Sequence, residues 1–174
     1  YSLALAVAIH AAARTHELDL VHVHYAIPHA ASAWIAHEML RDEGERLPVV
    51  TTLHGTDITL TGVHPSFKSI TRFSILKSHG LTAVSSWLAD ETVRNFEVER
   101  ERIEVIPNFV DTGLFRPGRE PCHRAALAPG GEKILMHVSN FREVKRVADA
   151  VEVLDRVRRR VPARLVLVGD GPDR

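Results

Sequence analysis

Short apolar runs alternate along the chain with segments whose apolar residues have helical spacing. The helical segments are residues 2–16, 29–42, 66–78, 86–96 and 144–160. The runs of strand length are residues 19–25, 47–53, 80–85, 102–107, 132–138 and 164–169. Strands such as 20–23 and 165–168 are β-branched-rich without clean alternation, which is typical of parallel strands covered on both faces. The pattern predicts an α/β fold with doubly wound parallel sheets.

A change of composition between Asp111 and Glu132 divides the chain. Glycine and proline crowd this window, at Gly113, Pro117, Gly118, Pro121, Pro129, Gly130 and Gly131. We predict a first Rossmann-like domain over residues 1–112, a connection with one short helix over 113–131, and the opening βαβ unit of a second domain over 132–174. Both ends of the chain cut across α/β units, so we expect both domains to be incomplete.

Composition narrows the classes of partner. The 22 basic and 22 acidic side chains cancel, which argues against electrostatic capture by nucleic acid or an anionic membrane. No apolar run reaches the length of a membrane span. Cys122 is the single cysteine, which excludes an internal disulfide and fits a reducing compartment. We therefore expect a cytoplasmic protein without nucleic-acid or membrane partners. Whether it forms a homodimer is left open.

The most polar segment, residues 51–59, comes at the carboxyl end of a predicted buried strand. It reads Thr-Thr-Leu-His-Gly-Thr-Asp-Ile-Thr, and in open α/β sheets ligands bind at this edge. Gly55 permits a sharp turn, and Asp57 either caps the next turn or holds a neighbouring amide. His54 has two possible functional roles, which are to donate to a sugar hydroxyl or to polarise a leaving group. The structural alternative is a core histidine with satisfied ring nitrogens. We interpret the segment as the floor of a site for a hydroxyl-rich ligand.

Histidines cluster at the end of the preceding strand. Period-two spacing puts His22 and His24 on one face, and Tyr25 follows where a ligand would lie. A metal site would need His29 and His54 to converge with them, and no His-x-x-x-His helix supports that arrangement. Core packing of His22 is the simpler interpretation.

Three further segments carry polar chemistry. Arg72 on a predicted helix is either solvated or clamps a carboxylate with its guanidinium. Asn108 follows a strand and a proline at the predicted domain junction, where ligand clefts are common. Residues 138–146 form a strand-to-helix loop with several cations, and cations beside helix amides suit a diphosphate. Surface charge is the alternative for that loop.

Residues 24–30, 53–59, 107–111 and 139–146, in this order, resemble the retaining nucleotide-sugar glycosyltransferases of family 4, which have the GT-B architecture of two Rossmann-like domains. The last segment discriminates within the family. Ser139-Asn140 stands where the wider family has Gly-Arg, and Lys145-Arg146 where it has Lys-Gly. The branch that catalyses the first step of bacillithiol biosynthesis shares this departure.

The resemblance implies transfer of GlcNAc from UDP-GlcNAc to the hydroxyl of L-malate with retention of the α configuration. It implies that His54 is catalytic and lies beside the donor sugar, and that Gly55 and Asp57 are structural residues that support His54. The residues implied for the donor diphosphate are Asn140, Arg142 and Lys145. The residues implied for the acceptor are Tyr25, Thr52, Arg72 and Asn108. Front-face substitution needs neither a protein nucleophile nor a metal, so no cofactor is expected.

Two parts of the family pattern fall outside the chain. The Gly-rich loop would precede Tyr1 and the paired glutamates that contact the donor would follow Arg174, so we expect these residues alone to be inactive. Three alternatives stay open: a family 4 transferase with a different acceptor, a sugar-nucleotide-binding module without turnover, and a zinc hydrolase that uses the histidines.

Overall fold

The computed structural model describes residues 1–118 and 122–174. The chain divides into two compact units, Tyr1–Phe109 and Val110–Arg174. Both alternate helices with parallel strands, which confirms the predicted α/β class. Residues 119–121 of the predicted connection, including Pro121, lie outside the described residues.

The first unit is built on a four-stranded parallel sheet. Its strands are β1 (Val21–His24), β2 (Val49–Leu53), β3 (Gly80–Ala83) and β4 (Ile103–Val105), and they lie in this order across the sheet. His24 is the register partner of Thr52, and Thr52 is the partner of Thr82. All strands run the same way, so the loops after them meet at one edge of the sheet.

Helices connect these strands. They are α1 (Ser2–Thr15), α2 (Ala31–Asp42), α3 (Thr56–Thr59), α4 (Pro65–Lys77) and α5 (Ser86–Phe96), with a kinked turn at Ala26–Ala30, in which Ile27 is extended, and a 3-10 turn at Arg100–Arg102. Local chemistry sets their limits: α5 begins where the Ser85 side chain accepts from the Leu88 amide, and Glu97 ends it with φ +53°. Among the helices in the described residues, none combines the length and apolar character needed to cross a membrane.

Burial on both faces explains why β2 shows no alternation of polar and apolar residues. Val49, Thr51 and Leu53 are each at most 1% exposed on one face of the strand, and Thr52 on the other face is 8% exposed. The Thr51 hydroxyl shares a 2.7 Å hydrogen bond with the Ser78 hydroxyl, so its burial leaves no unmet polar group. The strand that carries the polar segment 51–59 is therefore the best buried strand of its sheet.

A second histidine pair lies at the start of β2. The buried His37 donates from Nδ1 to the Leu47 carbonyl at 2.7 Å, and His79 Nδ1 accepts from the Val49 amide at 3.0 Å. The two rings are 4.9 Å apart. Partial desolvation, and then the neighbouring His37 and Arg46, lower the pKa of His79.

The second unit contains α6 (Arg124–Leu127), β5 (Lys133–Val138), a 3-10 turn at Glu143–Lys145, α7 (Val147–Arg158) and β6 (Ala163–Val168). β5 and β6 pair in parallel across the α7 crossover, which is a βαβ unit. The loop after β6 packs tightly on the loop after β5. Gly169 and Gly171 have φ of +142° and +156°, and an added Cβ would overlap the carbonyl oxygens of Ser139 and Phe141 respectively.

Two elements differ from the sequence prediction. The loop predicted after β2 contains the four-residue helix α3, which begins directly after Gly55 with φ +124°. The helix predicted from residue 144 begins at Val147, because Glu143–Lys145 form a 3-10 turn and Arg146 has a left-handed φ of +52°. The cations of this loop therefore precede α7.

Candidate functional site

The candidate site of the first unit is formed by the loops after β1 and β2. Tyr25 directly follows β1 and His54 directly follows β2, and the two strands are neighbours in the sheet. The rings of Tyr25 and His54 are 5.0 Å apart. Tyr25 is 38% exposed and has φ +78°, a left-handed conformation that costs energy for a residue with a side chain.

Asp57 joins the two loops. Its side chain is buried, and Oδ2 accepts from the Ala26 amide at 2.8 Å across the loops. Oδ1 accepts from the amides of Gly55 at 3.0 Å and His54 at 3.3 Å. The carboxylate thus both turns its own loop and holds a neighbouring amide. Asp57 is the second residue of α3, and α3 has no side-chain cap bond, so of the two roles that the sequence left open the structure shows the holding of neighbouring amides.

His54 bonds directly to another imidazole. Its Nε2 lies 2.7 Å from Nδ1 of His24, and the ring centroids are 4.9 Å apart. Desolvation lowers the pKa of His54, the charges of His24 and His22 lower it further, and Asp57 opposes them. A half-buried ring with this environment favours the neutral imidazole at neutral pH.

Thr52 connects His22 to the next strand. Its hydroxyl is 2.8 Å from Nε2 of His22 and 2.7 Å from the hydroxyl of Thr82. Desolvation and then His24 lower the pKa of His22. His22 is exposed and bonded to Thr52, so the structure differs from the expectation that it packs in the core. The sequence analysis did not select Thr82, which belongs to this chain of contacts. Its position as a polar residue within the predicted strand that became β3 could have indicated it.

The described contacts of Arg72 are with residues other than Tyr25, His24 and His54, and Asn108 lies on a separate loop. Arg72 donates from Nε to the Phe96 carbonyl at 3.0 Å, and Nη2 is 3.9 Å from Glu97 Oε2. These partners are at the end of α5, not on the loops after β1 and β2. Asn108 is exposed and follows β4, two strands from β2 at the same sheet edge. That separation is about 10 Å at ordinary strand spacing.

The cationic loop of the second unit exposes the residues predicted for the donor diphosphate, which are Asn140, Arg142 and Lys145. The Phe141 amide donates to the Asp170 carbonyl at 2.8 Å, and the Lys145 amide donates to the Arg142 carbonyl at 2.7 Å. Arg146 forms an ion pair with Asp149. Among the described residues neither Arg142 nor Lys145 has an ion-pair partner, so both are available to an anion.

The arrangement of the histidines bears on the zinc-hydrolase alternative. Within the described part of the chain, no group of three or more His, Cys, Asp or Glu side chains has an arrangement that could hold a metal ion.

Comparison with known proteins places these features in a family. The model of the family described as Glycosyltransferase Family 4 matches residues 1–114. The N-acetyl-alpha-D-glucosaminyl L-malate synthase of Bacillus anthracis is 44% identical over 174 residues, which is 99% of this chain and 45% of that protein. The D-inositol 3-phosphate glycosyltransferase of Nocardia farcinica is 29% identical over 172 residues, covering 88% of this chain and 35% of its own length.

A third relative, the putative glycosyltransferase EpsF of Bacillus subtilis, is 35% identical over 79 residues, covering 43% of this chain and 21% of its own. The chain spans less than half the length of each of these three relatives.

Proposed function

Because the chain belongs to glycosyltransferase family 4, we propose that its protein transfers N-acetylglucosamine from UDP-GlcNAc to the hydroxyl of L-malate. The single observation that carries this proposal is the 44% identity over 99% of the chain to the N-acetyl-alpha-D-glucosaminyl L-malate synthase of Bacillus anthracis. We further propose retention of the α configuration and a role as the first step of bacillithiol biosynthesis.

The donor half of the proposal concerns the second unit. Arg142 and Lys145 bind the diphosphate as charge-assisted donors and offset the charge that develops on the leaving UDP. Their lack of an ion pair among the described residues supports this role, and so does the exposed Asn140 beside them. Arg146 is already paired with Asp149 and contributes less.

The acceptor half concerns the loops of the first unit. Tyr25 and Thr52 line the malate pocket together with Asn108, and His54 lies beside the donor sugar. The proximity of the Tyr25 and His54 rings supports this arrangement. Arg72 is the carboxylate clamp that the family resemblance predicts. Its Nε is engaged with Phe96 and its Nη2 lies 3.9 Å from the exposed Glu97 carboxylate, so a carboxylate of malate takes the place of Glu97 in this clamp.

The chemistry proposed is a front-face substitution. The bond between sugar C1 and the phosphate oxygen breaks while C1 bonds to the malate hydroxyl oxygen on the same face. The hydroxyl proton passes to the leaving phosphate, so no protein nucleophile, metal or other cofactor takes part. His54 contributes a hydrogen bond to the sugar, because its neutral ring can donate from one nitrogen.

The test uses protein expressed from the complete coding sequence. UDP release is measured with UDP-GlcNAc and L-malate, and the glycoside product is identified by mass spectrometry. Succinate is the matched control acceptor, because it keeps both carboxylates and lacks the hydroxyl; we expect it to inhibit without being glycosylated.

Two results would overturn the proposal. Transfer to an inositol phosphate and not to malate would indicate another family 4 acceptor, as in the Nocardia farcinica relative. Binding of UDP-GlcNAc without transfer to any acceptor would indicate a sugar-nucleotide-binding module.

A further inference from the structure

The hydrogen bond between His24 and His54 links the protonation states of the two rings. The facing atoms are Nδ1 of His24 and Nε2 of His54, at 2.7 Å. A neutral imidazole has one N–H donor and one acceptor nitrogen. A bond between two neutral ring nitrogens therefore requires a hydrogen on only one of them, so the two tautomers are coupled: a hydrogen on Nδ1 of His24 goes with a hydrogen on Nδ1 of His54, and a hydrogen on Nε2 of His24 goes with one on Nε2 of His54. The two rings cannot both be doubly protonated in this geometry, because two N–H groups would then face each other.

The surrounding structure holds His24 in place. Its carbonyl accepts from Nδ1 of His29 at 2.6 Å, and its ring lies 4.8 Å from the ring of His22. His24 is also paired in register with Thr52 on the neighbouring strand. The main chain of His24 is thus held by the sheet and by the turn that follows it, and its ring lies against the ring of His22.

His54 is held on two sides and open at one atom. The His24 ring lies against Nε2, Tyr25 lies beside the ring at 5.0 Å between centroids, and the main-chain amide is bonded to Asp57. Within the part of the chain that the structure describes, Nδ1 of His54 has no hydrogen-bond partner. This nitrogen is the one that a ligand can reach.

We propose that His24 is a positioning residue that fixes the ring orientation and the tautomer of His54, so that Nδ1 of His54 faces the hydroxyls of the donor sugar. This inference rests on the proposed function, in which His54 lies beside that sugar. The other groups that face the His54 ring are His22, Tyr25 and Asp57, and among these the described contacts include no second bond to a ring nitrogen. The bond to His24 is therefore the described contact that couples the tautomer of the His54 ring to a neighbouring side chain.

Two substitutions at His24 separate a hydrogen-bonding role from a packing role. His24→Phe keeps an aromatic ring and removes the nitrogen, whereas His24→Asn puts an amide atom where Nδ1 lies. In the complete protein we expect His24→Phe to lower kcat about 10- to 100-fold, since misplacement of a contacting group has effects of that size. The KM values for both substrates should change less than about 3-fold, and His24→Asn should recover most of kcat. His16→Gln removes an exposed histidine on another helix end and serves as the control.

Nitrogen NMR of histidine-labelled protein reads the tautomer directly and does not depend on turnover. We expect one tautomer of His54 in the wild type and in His24→Asn, and an averaged mixture in His24→Phe. An unchanged His54 signal or an unchanged kcat in folded His24→Phe would overturn the inference. If circular dichroism shows that His24→Phe does not fold, the NMR signal of the wild type decides. A single His54 tautomer in the wild type then supports the inference, and an averaged mixture of tautomers overturns it.

Failure of the proposed function has a different signature. A wild type that does not glycosylate L-malate refutes the substrate assignment, while the NMR comparison still decides whether His24 sets the tautomer of His54.

Discussion

Asp57→Asn is the sharpest test of how the site is assembled. Asp57 is 2% exposed and accepts three main-chain hydrogen bonds, at 2.8, 3.0 and 3.3 Å. Hydrogen bonds to a charged acceptor contribute about 1.5–3 kcal/mol each. Asparagine replaces one carboxylate oxygen with a donor, so one side of the arrangement loses its acceptor. We expect the free energy of unfolding to fall by about 2–4 kcal/mol.

Urea unfolding followed by tryptophan fluorescence measures this loss. In a protein of these 174 residues the tryptophans are Trp34 and Trp87, and both lie in the first unit, so the fluorescence reports on that unit. With an m-value of about 2 kcal/mol/M, the midpoint should fall by about 1–2 M. Asp90→Asn is the matched control, because Asp90 is exposed and its ion pair with Arg100 contributes at most about 1 kcal/mol. Equal midpoint shifts in the two variants would refute the argument.

Three further predictions follow from the charges. Lowering the pH from about 7.5 to 5 should reduce the urea midpoint. The histidines whose pKa is lowered by folding, such as His79, bind protons more readily in the unfolded chain once the pH falls below about 6.5. A midpoint that stays constant or rises contradicts this. Calorimetric titration with UDP should show about 10-fold or greater weakening in Arg142→Gln and in Lys145→Gln, against a small effect of Arg146→Gln; equal effects in all three would remove the distinction. Arg72→Lys should raise the KM for malate about 10-fold with UDP affinity unchanged, and a variant that lowers only the unfolding midpoint would assign Arg72 to the structural bond with Phe96.

The sequence was sufficient for the fold because its signals are local. β-branched runs and amphipathic segments predict the elements directly, and α5 has the predicted bounds, since Ser85 caps its start. The short helix α3 was missed because four residues in a hydroxyl-rich loop have no periodicity to detect. The late start of α7 was missed because the left-handed conformation of Arg146 is not visible in its residue type.

The candidate site was predictable only in part. Chemical type and position at strand ends were enough to select Tyr25, His54 and Asp57, which the structure brings together. The contact between His24 and His54 depends on the register of two strands, and spacing along one chain does not give that register. The same reason hides Thr82, which reaches Thr52 only because β3 pairs with β2 in the observed alignment.

The close packing of the loops after β5 and β6 has a consequence for protein engineering. The Ser139 and Phe141 carbonyls occupy the space that side chains at residues 169 and 171 would need, and the Phe141 amide depends on Asp170. A loop graft that transfers only residues 139–146 between relatives would therefore meet side chains wherever the recipient lacks these glycines. The transferable module is the pair of loops, and chimaeras that exchange residues 139–146 need both segments from the same parent.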